Sequence, residues 1–213
     1  MADYKNINCP SCGAPTEVDR FAAMAVCEYC RGAFYLKDEA VLAMGEMAIL
    51  AETDSPLYLN ATGKLRGKRF TIMGHIQYRY SEGLWEEWFL RCDDGSELWI
   101  NEDEMEYSLE EEVPSPGAIP PVEQIEPGQA ITIAGKNVSV DEIDQAELVG
   151  AEGSLPFQLA LDRTFPYFDA SGEDAVFTVE YVEDGIEVYA GSWLDVDEIK
   201  LEAPKPDSDR LGW

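Results

Sequence analysis

The 213-residue chain is 46% hydrophobic, enough to build packed cores and too much for global disorder. It carries 43 acidic residues against 15 basic ones, a formal net charge of −28. That charge repels phosphate backbones and anionic lipid, and so disfavours nucleic acid and membrane surfaces as partners, while it attracts cations, polyamines and basic protein patches.

Residues 1–37 read as a zinc ribbon. Cys9, Cys12, Cys27 and Cys30 follow the spacing C-x2-C-x14-C-x2-C and are expected to hold one structural zinc ion. Each C-x-x-C turn aims two thiolates at one point, and Gly13 and Gly32 permit the tight turns. The spacer is slightly short for a ribbon yet leaves room for a hairpin through Phe21 to Val26. Four thiolates leave no open coordination position for water, so such a site stabilises and does not catalyse. Few basic residues lie near it, only Arg20 and Arg31 with Lys5 and Lys37 further off, which argues against a ribbon that grips nucleic acid. Paired cysteines of this kind belong to a reducing compartment. The stretch before Cys9 lacks the apolar core of a signal peptide, and the runs Ala40–Met44 and Met47–Ala51 are too short to cross a bilayer. The expectation is a cytoplasmic protein with no direct membrane insertion.

Residues 38–56 read as a helical connector. Asp38 is placed to cap a helix running to Glu52, Val41, Leu42, Ala48 and Ile49 share a face, and Thr53-Asp54-Ser55-Pro56 stops it. From residue 57 to 113 the pattern becomes that of strands, the first β unit. Arg69–Met73 continues into Ile76–Tyr80 across a bulge at Gly74, and Trp88–Cys92 returns through Asp94-Gly95 into Glu97–Ile100 as a hairpin. Met105–Val113 reads as a closing strand, and Cys92 as a buried strand residue. A proline-rich linker covers residues 114–127, a second β unit residues 128–202, and a loose tail residues 203–213.

The two units echo one another. Gly67-Lys68-Arg69-Phe70-Thr71-Ile72 is matched by Gly135-Lys136-Asn137-Val138-Ser139-Val140. Asp94-Gly95-Ser96-Glu97-Leu98-Trp99 is matched by Asp184-Gly185-Ile186-Glu187-Val188-Tyr189. The second match lies at a wider offset than the first, so on that alignment the second copy carries an insertion between Asp144 and Val176.

These features together resemble a bacterial family, the domain of unknown function 4178 proteins. The resemblance rests on Cys9-Pro-Ser-Cys-Gly13, Cys27-Glu-Tyr-Cys30, Gly63-Lys-Leu-Arg-Gly67, Phe70-Thr-Ile-Met-Gly74 and Trp85-Glu-Glu-Trp88. In the second half it rests on Val140-Asp-Glu142, Glu152-Gly-Ser-Leu-Pro156 and Val188-Tyr-Ala-Gly191. It implies a zinc ribbon followed by two related β units and implies no activity. It also implies an association with polyamine or membrane-stress pathways.

Several residues carry two readings. Lys64, Arg66, Lys68 and Arg69 either balance nearby carboxylates, such as the acidic run Glu102–Glu112, or clamp an anionic ligand. Trp85, Trp88, Trp99, Tyr78 and Tyr80 either build core or, with Glu86 and Glu87, form a rim for a cation or peptide. His75, the single histidine, has no identifiable partner serine or cysteine for triad chemistry. Asp169–Asp174 departs from a calcium loop in spacing and reads as an ordinary turn.

The expected fold is mainly β: a zinc ribbon, a short helix and two duplicated small β-barrel-like (SH3-like) units. The expected function is a non-enzymatic zinc-binding adaptor that meets a protein partner through Trp85, Glu87 and Trp88. The alternatives are a cation- or polyamine-binding regulatory protein and a nucleic-acid-associated zinc-ribbon protein.

Overall fold

The computed structural model describes residues 3–37, 40–183 and 185–206. The fold is mainly β, as expected: among the described residues the helical turns are two short 3₁₀ segments, Val122–Gln124 and Val196–Glu198. At the N-terminus β1 (Tyr4–Asn8) and β2 (Pro15–Asp19) form a hairpin, and β3 (Met24–Val26) pairs with β4 (Gly32–Lys37).

The expected connector helix is absent. Its first half is β5 (Ala40–Glu46), which adds to β4. Gly45 lies at φ +143°, outside the helical region, and pairing with the free edge of β4 outweighs a weak local helix preference. Asp38, the expected cap, lies outside the described residues.

Each half of the remaining chain is a five-stranded meander. The first contains β6 (Thr62–Leu65), β7 (Lys68–Arg79), β8 (Leu84–Cys92), β9 (Glu97–Asp103) and β10 (Glu106–Glu112). The second contains β11 (Ala130–Ile133), β12 (Lys136–Leu155), β13 (Thr164–Ser171), β14 (Val176–Val182) and β15 (Gly185–Leu194). The first hairpin of each half turns on two left-handed residues, Arg66-Gly67 and Ala134-Gly135, as a two-residue type I′ hairpin requires. The bulge expected near Gly74 is present, as a register shift between Ile72 and Gly74 opposite β8.

The second sequence echo is out of step with this topology. It equates the β8–β9 turn with the β14–β15 turn, whereas the topological equivalent of β8–β9 is β13–β14. The starts of β7 and β12 keep the offset of the first echo. The starts of β9 and β14, like those of β10 and β15, are further apart than that but closer than the second echo requires. The second half therefore carries a smaller insertion than the echo implies, within long β12 and the loop to β13. Asp184 itself lies outside the described residues.

Strand alternation gives each meander two faces. One face of the first half buries Leu57, Phe70, Ile72, Trp88, Leu90 and Ile100 in a core of its own, and Cys92 lies there as expected. The corresponding face of the second half buries Ile133, Val140, Phe168, Phe177 and Val188. The halves are not separate barrels, however. β10 pairs with β15 and β7 with β12, so eight strands run β7-β8-β9-β10-β15-β14-β13-β12 and return to β7. Closure is uneven: the β7–β12 ladder is short and shifts register between Leu148 and Gly150. At this closure Gly153, at φ +78°, lies against the Met73 carbonyl, and a Cβ there would sit 2.3 Å from that oxygen.

The N-terminal module is fused to this ring. β3 continues the sheet from β12, and Met24, Val26 and Ala33 join the cluster of Tyr78, Trp85, Phe89, Phe165 and Tyr167 between the halves. Arg91 on β8 reaches buried Asp19 at 3.2 Å, and the Asp19 amide donates to Ser154 Oγ.

Candidate functional site

The four cysteines singled out by their spacing come together. Their sulfurs all lie within 4.8 Å of one another, with Cys9–Cys30 at 3.7 Å and Cys12–Cys27 at 3.9 Å. A tetrahedron of thiolates about 2.3 Å from a central zinc has edges of about 3.8 Å, so this donor set can hold such an ion. In each knuckle a backbone N–H closes onto the first cysteine's carbonyl: Gly13 onto Cys9 and Arg31 onto Cys27. Both closing residues are left-handed, Gly13 at φ +78° and Arg31 at φ +56°. Arg31 is not a glycine, and its guanidinium holds the strained position by donating to the carbonyls of Met47, Ala48 and Ala151. Gly32, the turn residue expected from sequence, serves by close approach: a Cβ there would meet Ser11 Oγ at 2.9 Å.

Trp85, Glu87 and Trp88 do not form the exposed face expected of them. Trp85 and Trp88 are 6% and 3% exposed, and they point to opposite sides of β8. Trp85 joins the cluster between the halves, while Trp88 enters the core of the first half. Glu87 shares the inward side with Trp85 and accepts from its Nε1 at 3.3 Å.

Three of the four residues of the basic knot are paired within the molecule. Arg66 pairs with Glu198, Lys68 with Asp94, and Arg69 with Glu202 and Asp93. These partners, not the run Glu102–Glu112, supply the compensating charge. Strand alternation divides that run instead. Glu102 points into the first half's core region and accepts from Ser55, Trp88 and Tyr107, whereas Asp103 and Glu110 point between the halves.

His75 is buried between two carboxylates. Nε2 lies 3.1 Å from Glu86, Nδ1 3.3 Å from Glu152, and the ring stacks on Trp88 at 3.7 Å. Gln77 reaches Glu86 from the same strand, and Thr53 from the segment crossing above. Burial opposes the imidazolium, but hydrogen bonds and charge from Glu152 and Glu86 outweigh it and raise the His75 pKa. The same imidazolium holds the Glu86 carboxyl down against burial. A raised histidine pKa contributes stability in full below the unfolded value of about 6.5, and that contribution is lost as pH rises through the folded value. We therefore expect wild type to lose stability relative to His75→Gln as pH rises from about 6.5 through the folded pKa. Urea melts of both proteins at each pH measure this; parallel curves would remove the imidazolium from the account.

Between the halves lies an acidic cavity of about 290 Å³. Asp103, Glu104, Glu106, Glu110, Asp141 and Asp169 contribute six carboxyl groups to its wall, and Trp193 contributes aromatic surface. Asp103 Oδ1 and Asp169 Oδ1 are sealed from solvent and have no hydrogen-bond partner among the described residues. Burial, reinforced by the Glu110 charge, pushes the Asp169 pKa well above the usual carboxylate range, and a hydrogen bond from Thr178 offsets only part of this. Burial likewise raises Glu110, against hydrogen bonds from Ser108 and Thr178. Further in, burial lifts Glu87 to about 7 and raises Glu180 strongly, although Arg163 donates to Glu180. A cation entering the cavity would relieve the repulsion among these carboxyl groups and favour their ionised form.

The sequence reading missed this site. Its residues come from several strands, and 43 acidic residues hide any group of them in a linear scan. The available signal was period two: Glu87, Asp103, Glu110, Asp169 and Glu180 all occupy the face opposite the one that builds the two separate cores.

A family model, Domain of unknown function (DUF4178), matches residues 59–196. The chain belongs to this family. The DUF4178 match spans all eight strands of the ring and the acidic cavity, and it begins after the cysteine cluster. The DUF4178 domain is thus the paired-meander ring, to which the N-terminal module is added. No curated protein and no solved structure matches the chain.

Proposed function

We propose that the protein is a non-enzymatic binding module, stapled by one structural zinc ion, that recognises an alkylammonium group in the acidic cavity between its halves. The observation that carries this reading is the pair of buried, unpartnered oxygens, Asp103 Oδ1 and Asp169 Oδ1, on two residues that line one cavity. A buried carboxylate oxygen without a donor is costly, and a bound ammonium would supply up to three N–H donors as well as the missing charge. Zinc suits the other site because four thiolates in a closed tetrahedron are its usual structural donor set. Both ring nitrogens of His75 face glutamates, which favours a structural role for the one histidine.

The adaptor and cation readings meet here, since a free amine and a lysine of a protein partner both present an alkylammonium. Nucleic acid fits poorly with a net charge of −28. Four cysteines gathered at one metal-type site with no disulfide among them suit a reducing compartment, and we place the protein in the cytoplasm on that ground. No helix among the described residues is long and apolar enough to cross a membrane.

Metal analysis of protein purified without chelator should give one zinc per chain. Titration with n-butylamine, followed by NMR, should give saturable shifts at residues lining the cavity. Asp169→Asn should raise the amine concentration at which they saturate, and shifts that never saturate or that ignore this substitution would refute ammonium recognition.

A further inference from the structure

We propose that the natural occupant is a linear oligoamine with at least two charges, lying along the space between the halves from the Trp193 mouth toward Glu87 and Glu180. This rests on the alkylammonium reading and specifies its ligand.

Three features of the cavity point to length and multiple charge. First, the carboxylates do not converge. Among the described residues, the cysteine cluster is the single group of three or more metal-ligating side chains whose donor atoms lie within 4.8 Å of one another. A bare Mg²⁺ or Ca²⁺ needs several oxygens around one point, so it finds no ready cage among these acids. Second, the space is extended. The main chamber of about 290 Å³ is followed by two smaller ones of about 40 and 20 Å³. Asn101 and Thr178 line all three, so these chambers are neighbours separated by two small polar side chains. A single water-sized group fills about 30 Å³ of liquid, far less than the main chamber.

Third, titratable carboxyl groups continue beyond the main chamber. Glu87, Glu110 and Glu180 line one of the smaller chambers beside Tyr189, and Glu180 is 2% exposed. Among the described residues Arg163 is the cation that reaches them; it bonds Glu180 and Glu187 and leaves Glu87 to the Trp85 indole. One ammonium near Asp103 and Asp169 therefore leaves Glu87 and Glu110 without a cationic partner, and a second ammonium on the same chain would reach them and favour their ionised form. Methylene spacers suit the apolar parts of the wall, Val176 and the Trp193 ring. Trp193, 58% exposed at the mouth, offers a π-face to an entering cation. Its backbone carbonyl accepts from Arg66 at 3.1 Å, which steadies the mouth.

The test uses full-length, zinc-loaded protein and calorimetry at fixed ionic strength, with spermidine, n-butylamine and Mg²⁺ as probes. Spermidine should bind about tenfold or more tightly than n-butylamine, because each extra charge-assisted contact adds roughly that factor. Glu87→Gln should weaken spermidine about fivefold or more and leave n-butylamine unchanged, whereas Asp169→Asn should weaken both. Thermal melts of both variants establish that they remain folded. Equal affinities for the two amines, or a silent Glu87→Gln, would overturn the extended ligand while sparing ammonium recognition. Absence of binding by either amine would overturn both. Displacement of spermidine by equimolar Mg²⁺ would replace the oligoamine with a metal-ion site.

Discussion

Cys27→Ser is expected to release the metal and unfold the N-terminal module, the largest single effect predicted for this chain. Cys27 is buried and shares the tetrahedron with Cys9, Cys12 and Cys30. A hydroxyl is a poor replacement for a thiolate at a soft site, and the other three sulfurs would be left close together without a central charge. Metal binding in modules of this kind is inseparable from folding and is worth on the order of 10 kcal/mol in peptides. The damage should not stop at residue 37. β3 is paired to the end of β12, and Met24 and Val26 belong to the cluster between the halves, so their release opens one side of the ring. Hydrogen exchange should show lost protection in residues 4–37 and in Gly153–Leu155, with the outward core around Phe168 and Val179 still protected. A variant that keeps one zinc per chain and native exchange would overturn this assignment of the cysteines.

Gly153→Ala should cost about 4 kcal/mol by itself. Two penalties combine at this position. The backbone is at φ +78°, which an L-residue adopts reluctantly, and the added methyl would lie 2.3 Å from the Met73 carbonyl oxygen and 2.7 Å from Leu59 Cδ2. Leucine can move; the backbone oxygen belongs to the bulge beside Gly74, which is held on both sides by its pairing with Gly153 and with Phe89. Gly95→Ala is the control, because Gly95 has φ +85° but open space where a Cβ would go, so it carries the conformational penalty alone, about 1 kcal/mol. Urea denaturation of both variants separates the two penalties. Equal losses would mean that close packing at the closure contributes nothing.

Local features of this fold were readable and its long-range ones were not. The metal cluster shows in the sequence because knuckle chemistry fixes its own spacing. The Asp94-Gly95 hairpin shows because a turn writes its residues beside the strands it joins. β5 escapes such a reading because Ala40–Glu46 is a weak strand by composition, stabilised by a partner, β4, that a local window does not weigh. Ring closure is invisible to pattern for the same reason: nothing near Tyr107 announces that it will lie beside Leu194. Trp85 and Trp88 show the limit of residue type as a guide. An aromatic–acidic run can be a recognition surface or two opposed cores, and alternation along β8 decides for the cores. The acidic cavity needs both alternation and closure before its carboxylates can be seen to face one another.

Ring closure also dictates the order in which this chain can mature. The first meander can collapse about Phe70, Trp88 and Ile100 soon after its strands leave the ribosome, since those contacts are close in sequence. Its last strand, β10, then waits for β15, the final strand of the ring, with the linker and four other strands still to be made. Pairings of such separation are slow to form. During that interval β10 exposes an unpaired edge, a template for another nascent chain. Three consecutive glutamates, Glu110, Glu111 and Glu112, sit on that edge, and like charge across two copies would oppose their pairing. The acidity that later serves a buried cavity thus also guards the chain while it is half-made.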